Sequence, residues 1–251
     1  MRPRQRAIVA LLGGALLAGF LWWGALGLPS FGAYAGPYGD VVNAAAPADR
    51  QVQNVVTAIN FDYRALDTLG EEYILFAAVA AAALLLRRVR TERQESDAAS
   101  VSESEPNQPS EALHAWGLAM VACTLLFGVY MVVHAVTSPG GGFQGGCVLA
   151  SAWVVVFLTG DTRLLHRVTN QNLVQLAEAV GAGAYAATGL AMVALGGVFL
   201  QDLLPNGSLG SPLAGGMMLV INAGVGLEVT AGFVLILLEF LHQTSETLEG
   251  R

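Results

Sequence analysis

The sequence predicts an all-α integral membrane protein of about six transmembrane helices, two in an N-terminal unit and four in a C-terminal one, with both termini cytoplasmic. Three observations predict it. Of 251 residues, 54% are hydrophobic and only 12% charged, with a mean hydropathy of +0.56; a soluble domain carries about 45–50% apolar and about 25% charged residues. Six apolar runs are candidate spans of a bilayer whose core needs about 20 residues per helix, the fourth of them shorter than that. The arginines are distributed asymmetrically between those runs. This composition excludes a soluble enzyme, and the net charge of −7 argues against a nucleic-acid partner, which requires a basic face.

The first run, Ala7 to Leu28, carries no charge. The second extends from about Leu69 to Leu86, its start interrupted by Glu71 and Glu72. The third covers about Ala112 to Val136 and the fourth about Gly145 to Thr159. The fifth covers about Leu173 to Leu200, and the sixth about Leu213 to Leu241. Backbone polar groups have no water partner in the bilayer core, so such runs must be helical there; the last two are long enough to tilt.

All twelve basic residues are arginine. With six spans and both termini inside, Arg2, Arg4, Arg6, Arg87, Arg88, Arg90, Arg93, Arg163, Arg167 and Arg251 fall on the cytoplasmic side. Only Arg50 and Arg64 fall outside, as the positive-inside rule demands. The first run, at about 22 residues, exceeds the apolar core of a cleaved signal peptide, about 7–15 residues, so it reads as a span. The expected organisation is a two-span module over residues 1–90, a disordered cytoplasmic linker rich in Glu, Ser, Gln and Pro over 91–111, a four-span domain over 112–242 and a tail over 243–251. A short interfacial helix is expected within Asp49–Ile59.

The run Gly140-Gly141-Gly142-Phe143-Gln144-Gly145-Gly146 contains G-x-G-x-x-G. A dinucleotide site needs a strand before that pattern and an acidic residue about 20 positions later; both flanks here are apolar helices. The physical reading is a tight turn begun at Ser138-Pro139-Gly140, with glycines that let backbones approach closely.

His134 to Gly146, with its Pro139-Gly140-Gly141-Gly142-Phe143-x-x-Gly146 core, resembles the P-G-G-G-F-x-x-G signature of the MnhB/MrpB family. These are small membrane subunits of Mrp-type cation/proton antiporters. Asn222 to Val229 resembles the G-V-G-L-x-V stretch of the same family, and residues 112–241 carry this resemblance. Asn54 to Glu71 is similar instead to the V-x-x-I-x-x-D-x-R-x-x-D-T-L-G-E segment at the C-terminal end of the large MrpA subunit, found as the separate E subunit of membrane-bound hydrogenases. The resemblances imply a fusion of the two modules, in a subunit that neighbours other antiporter-complex subunits in a plasma membrane where Na+ and H+ are exchanged.

Acidic residues are the chemical signal. Asp67 and Glu71 fall on one helical face, with Arg64 one turn below Asp67. They read either as a solvated turn held by an Arg–Asp pair or as carboxylates that handle ions at the membrane entrance. Glu228 lies midway along the sixth run and Glu178 about two turns inside the fifth. A charged carboxylate at the bilayer centre costs at least about 2.5–3.5 kcal/mol, so each is protonated, paired or hydrated. Glu228 reads as an ion or proton carrier ahead of a packing group, whereas Glu239, near the cytoplasmic end, reads as interfacial.

His134, beside the glycine turn, is a further proton-relay candidate, against a capping role; His114, His166 and His242 read as surface residues. Cys123 and Cys147 sit in apolar runs as small hydrophobes. No redox motif, nucleotide site or metal-ligand spacing is present, so no cofactor is expected. Abundant glycine faces, such as Ala177 with Gly181, point to neighbouring helices or subunits. The resemblance thus implies a subunit of a sodium/proton antiporter. A membrane-arm subunit of an energy-converting hydrogenase or related redox complex is the second reading, and a purely structural assembly subunit the third.

Overall fold

A computed structural model describes residues 3–33, 36–97, 110–159 and 162–249. Every regular element among them is helical. The chain divides into two compact units, Met1–Asp40 and Val41–Arg251. The first holds α1 (Pro3–Leu26) and the start of α2 (Pro37–Arg50). From Ala7 onward α1 is apolar on all sides and unburied, the pattern of a helix surrounded by lipid or by a partner helix.

The second unit continues through α3 (Val55–Ala58), a π-helical turn (Ile59–Tyr63), α4 (Ala65–Asp97), α5 (Glu111–Val133), α6 (Gly142–Leu158), α7 (Thr162–Val168), α8 (Gln171–Ala194) and α9 (Met217–Glu249). Among the described residues, α1, α4, α5, α8 and α9 are long and apolar enough to cross a membrane, and α6 is a shorter apolar helix. At 1.5 Å per residue its 17 residues reach only about 25 Å.

Several boundaries differ from the sequence expectation. α4 begins at Ala65, four residues before the expected Leu69, so Glu71 and Glu72 lie about two turns inside the helix and not at its start. α6 begins at Gly142, making most of the glycine run its first turn instead of a loop. α8 ends at Ala194, not Leu200, where Gly196 turns the chain with φ +94°, and α9 starts at Met217 rather than Leu213. The expected linker is helical over its first part, because α4 runs on through the helix-forming Glu92, Arg93 and Gln94 to Asp97. Residues 98–109 lie outside the described residues. The short helix expected within Asp49–Ile59 is α3, preceded by the longer α2.

α9 is the centre of the bundle: α4, α6 and α8 each pack along it, and α5 touches it. Among its described side chains, only Val220, Ala223, Leu227, Phe233 and Phe240 remain exposed. Close approach is achieved through glycine, since no hydrophobic effect pulls helices together in lipid. A Cβ on Gly142 would collide with the Asn222 carbonyl and lie 2.7 Å from the Gly226 nitrogen, and one on Gly146 would lie 2.8 Å from Val229. Gly145, one face over, is pressed against the Gly128 carbonyl of α5 at 2.9 Å in the same sense. On the far side of α9, Gly181 of α8 leaves no room between itself and the Glu228 backbone.

One end of this unit is tied together by hydrogen bonds between connections. Asn54 Nδ2 donates to the carbonyls of Ala135 (2.8 Å) and Ser138 (2.9 Å), and Thr57 Oγ1 donates to Ala135 (2.5 Å). Asn206 Nδ2 donates to Asp49 O (3.1 Å), and Leu209 N–H to Gln51 Oε1 (3.1 Å). The segments before α4, between α5 and α6, and between α8 and α9 therefore share one end. The C-terminal half of α4 and the α6–α8 connection, which carry Arg87 to Arg93, Arg163 and Arg167, belong to the other.

Replacing Gly142 by Val should lower the thermal unfolding midpoint of the detergent-solubilised protein, because overpacking costs about 1–3 kcal/mol and the colliding atoms are backbone. Gly13→Ala, at a position with nothing within 4 Å, should leave the midpoint unchanged. Equal midpoints for the two variants would contradict the close-packed α6–α9 contact.

Candidate functional site

The phase of α4 is set by Ala65, Thr68, Glu72 and Val79, spaced three, four and seven residues apart and all buried. That spacing puts them on one helical face, the face that packs on α9. The adjacent face carries Leu66, Asp67, Gly70 and Glu71, which are exposed. Consecutive residues are about 100° apart around a helix, so the two neighbouring glutamates have opposite fates. Glu72 is 4% exposed.

Glu72 enters the interior where α8 and α9 present carboxyls of their own. Glu228 is 1% exposed and Glu178 is 7% exposed. Glu72 is the strongest electrostatic neighbour of Glu228, and Glu178 also acts on it. Glu178 Oε1 lies beside Gly232, one turn beyond Glu228 on α9, and Gly232 in turn meets Val79 of α4. The carboxyls of Glu72 and Glu228 lie within hydrogen-bonding reach of each other, but no side-chain or backbone N–H or hydroxyl donates to either oxygen of Glu228, to Oε2 of Glu72 or to Oε1 of Glu178. Among the described residues no basic side chain pairs with any of the three. Burying one unpaired carboxylate is costly, and burying three close together more so. Carboxyls in such a setting are kept protonated, hydrogen-bonded to one another or hydrated.

Tyr185, fully buried on α8, joins the cluster to the start of α4. Its hydroxyl donates to Ala65 O at 2.8 Å and lies 3.4 Å from Asn60 O. These carbonyls flank the break between the π-helical turn and α4, so the tyrosine ties α8 to that junction. Its ring packs against Phe61, with centroids 6.4 Å apart.

Of the residues singled out from sequence, Glu178 and Glu228 are brought together in this interior. Asp67 and Glu71 share a face as expected, but it is the exposed one; Asp67 forms an ion pair with Arg64. His134 ends α5, stacks on Tyr130 with centroids 4.1 Å apart, and leaves Nδ1 buried without a partner. Pro139 is exposed; Gly140 and Gly141 make the turn with φ of 148° and 151°, angles that L side chains rarely adopt. Gly142, Phe143, Gly145 and Gly146 begin α6, Phe143 packing edge-on against Phe233 of α9. Glu239, expected at the interface, is instead buried at 3% exposure and accepts from Gln171 Nε2 at 3.4 Å.

Sequence reasoning missed Glu72, Tyr185 and Asn222. The buried phase of α4 could have revealed Glu72, since Ala65, Thr68, Glu72 and Val79 repeat at helical spacing. Tyr185 falls seven residues after Glu178, on the same face of α8, which was the available signal. An ion pair lies at the end where the connections meet: Asp62 accepts from Arg50 Nε at 2.5 Å. Burial pushes the Asp62 carboxyl above its ordinary range, although the Arg50 guanidinium draws it down. Among the described residues no three His, Cys, Asp or Glu side chains converge closely enough to hold a metal ion.

Residues 112–235 match the model of a domain related to the MnhB subunit of Na+/H+ antiporter. The chain is 27% identical, over 79% of its length and 84% of the relative's, to an uncharacterised protein of Methanocaldococcus jannaschii. Its fold is similar to that of a chain in the membrane-bound sulfane sulfur reductase, an archaeal respiratory membrane complex. That match has a TM-score of 0.68 at 24% identity and covers 94% of this chain and 98% of the other. It is also similar to part of a chain in the Mrp complex of Dietzia sp. DQ12-45-1b, with a TM-score of 0.65 at 23% identity, over 95% of this chain but only 26% of that longer one. The protein is thus a multi-pass membrane protein carrying an MnhB-related domain, with a fold that also occurs in the Mrp complex and in an archaeal respiratory membrane complex.

Proposed function

We propose that the chain is a membrane subunit of an Mrp-type multisubunit monovalent cation/proton antiporter, contributing scaffold and part of an ion or proton path. The observation that carries this reading is the buried cluster of Glu72, Glu178 and Glu228 where α4, α8 and α9 meet, in a chain with an MnhB-related domain. A carboxyl can hold a proton or a partly dehydrated Na+ but not both at once, which is the elementary requirement for exchanging one for the other. The other subunits of the complex are its partners, and Na+ and H+ the transported ions.

In this reading the N-terminal two-helix segment, through Asn54–Glu71, is the module similar to the end of the large antiporter subunit, fused to the MnhB-like domain. The arginine-poor end faces outward and both termini face the cytoplasm, in keeping with the arginine distribution. A second reading, a subunit of a redox-driven membrane complex, draws on the end-to-end likeness to the sulfane sulfur reductase chain. The subunits that co-purify after mild detergent extraction separate the two.

Glu228→Gln and Glu72→Gln keep shape and remove only titration. Both should leave the complex assembled while lowering antiport by about tenfold or more or shifting its pH optimum, as expected for functional intramembrane acids. Glu71→Gln, on the exposed face, should have a smaller effect. Unchanged antiport across pH in the first two variants would leave a scaffold role alone.

Topology has its own test. Ser208→Cys, exposed in the α8–α9 connection, should react with a membrane-impermeant thiol reagent added outside intact cells, and Ser100→Cys should not. The reverse pattern would invert the orientation.

A further inference from the structure

Beside the glutamate cluster lies a cleft of about 270 Å³ bordered by Asn60, Thr68, Glu71, Glu72, Gly141 and Gln144, large enough for several water molecules. Its inner wall includes Glu72, whose Oε2 is buried and accepts from no N–H or hydroxyl group. Its rim carries the exposed Glu71 and Gln144. The polar lining is rich in oxygen, and neither arginine nor histidine borders it. Gly141 helps to shape the rim, turning the chain with a φ of +151° that L side chains rarely adopt. The cleft belongs to the end at which the connections before α4 and between α5 and α6 are hydrogen-bonded together.

We propose that this cleft is a vestibule, open to the outer face, that admits a small monovalent cation to Glu72 and from there to Glu228. Hydronium and Na+ share the required chemistry, since both are bound by clustered oxygens. The wall of carboxyl, hydroxyl and amide groups supplies those oxygens, and the lack of basic groups leaves no positive charge to repel the ion. Glu71 attracts cations at the rim; Glu72 receives them at the inner wall. The titratable groups that face Glu72 are Glu71 on its own helix, Glu228 on α9 and Tyr185 on α8. A proton or Na+ arriving there meets the only carboxyl of the cluster that borders the cleft.

The proposal rests on the ion-path reading but is tested by access. Cys123 and Cys147 are first replaced by Ala; Asn60→Cys and Thr68→Cys are then introduced singly, and the assembled complex is placed in vesicles. A positively charged, impermeant thiol reagent should label both from the outer side and not from the inner. Added Na+ should slow labelling of Thr68→Cys, and Glu72→Gln should abolish that protection. If Na+ gives no protection, Asn60→Trp, which fills the cleft, should slow proton uptake by the vesicles, identifying hydronium as the cation admitted. Absence of outer labelling in both cysteine variants, labelling only from the inner side, or failure of both the sodium and the proton responses overturns the vestibule. A labelled, sodium-protected cleft in a complex without antiport would refute the antiporter reading alone. Normal antiport with both cysteines inert would refute the vestibule alone.

Discussion

The side-chain amide of Asn222 bridges three helices. Its Oδ1 accepts from the Gly142 N–H at the start of α6 (2.6 Å), and its Nδ2 donates to the Val132 carbonyl near the end of α5 (2.7 Å). A helix start leaves N–H groups without intrahelical partners, and here one of them is answered from a neighbouring helix instead of a local cap. The bond is reachable only because Gly142 and Gly146 bring α6 onto the α9 backbone. It fixes the depth at which α6 begins and the position of the turn formed by Gly140 and Gly141. The hydrogen bonds from Asn54 and Thr57 to that connection then set where α4 enters.

From this arrangement follows the electrostatic problem of the molecule. α9 can be surrounded on three sides only if its faces are small or match their neighbours, yet it carries Glu228 at the point where Gly181 removes all space on α8. The carboxyl is directed toward α4 and meets Glu72. Three acids thus share a poorly solvated region without a counter-ion, a state kept in a membrane protein only where it serves protons or cations or where hydrogen bonds offset the penalty. Glu72 and Glu228 face each other across the α4–α9 contact, and Oε1 of Glu178 has no donor. Tyr185 stabilises the helix break directly beside the cluster, so the backbone irregularity at residues 59–65 and the acids are parts of one construction. Single π-helical turns are frequent at functional sites.

Much of this was legible without coordinates. Low charge, long apolar runs and arginine asymmetry are bulk properties, and the absence of water in a bilayer turns them directly into helices. Glu178 and Glu228 were identifiable because an acid inside an apolar run is anomalous wherever the helix faces. The glycine run was recognisable as a place of close packing, although its residues divide between a turn at Gly140–Gly141 and the first turn of α6. Boundaries were less legible: the exit of α8 depends on the backbone at Gly196, and the helical extension to Asp97 on local propensity that a polar composition obscures.

The choice between Glu71 and Glu72 shows where sequence stops. Both lie at the start of the same apolar run, and the motif that carries the resemblance ends on Glu71. Which one enters the protein depends on the rotation of α4 about its own axis. That rotation is fixed by contacts more than a hundred residues away, Tyr185 on the Ala65 carbonyl and Gly232 against Val79. The sequence by itself determined that this is a multi-span membrane protein with buried acids, because burial in lipid is a property of a segment. Only the tertiary structure decided which acids meet, because a shift of one residue turns a helix by about 100° and exchanges an exposed carboxyl for a buried one.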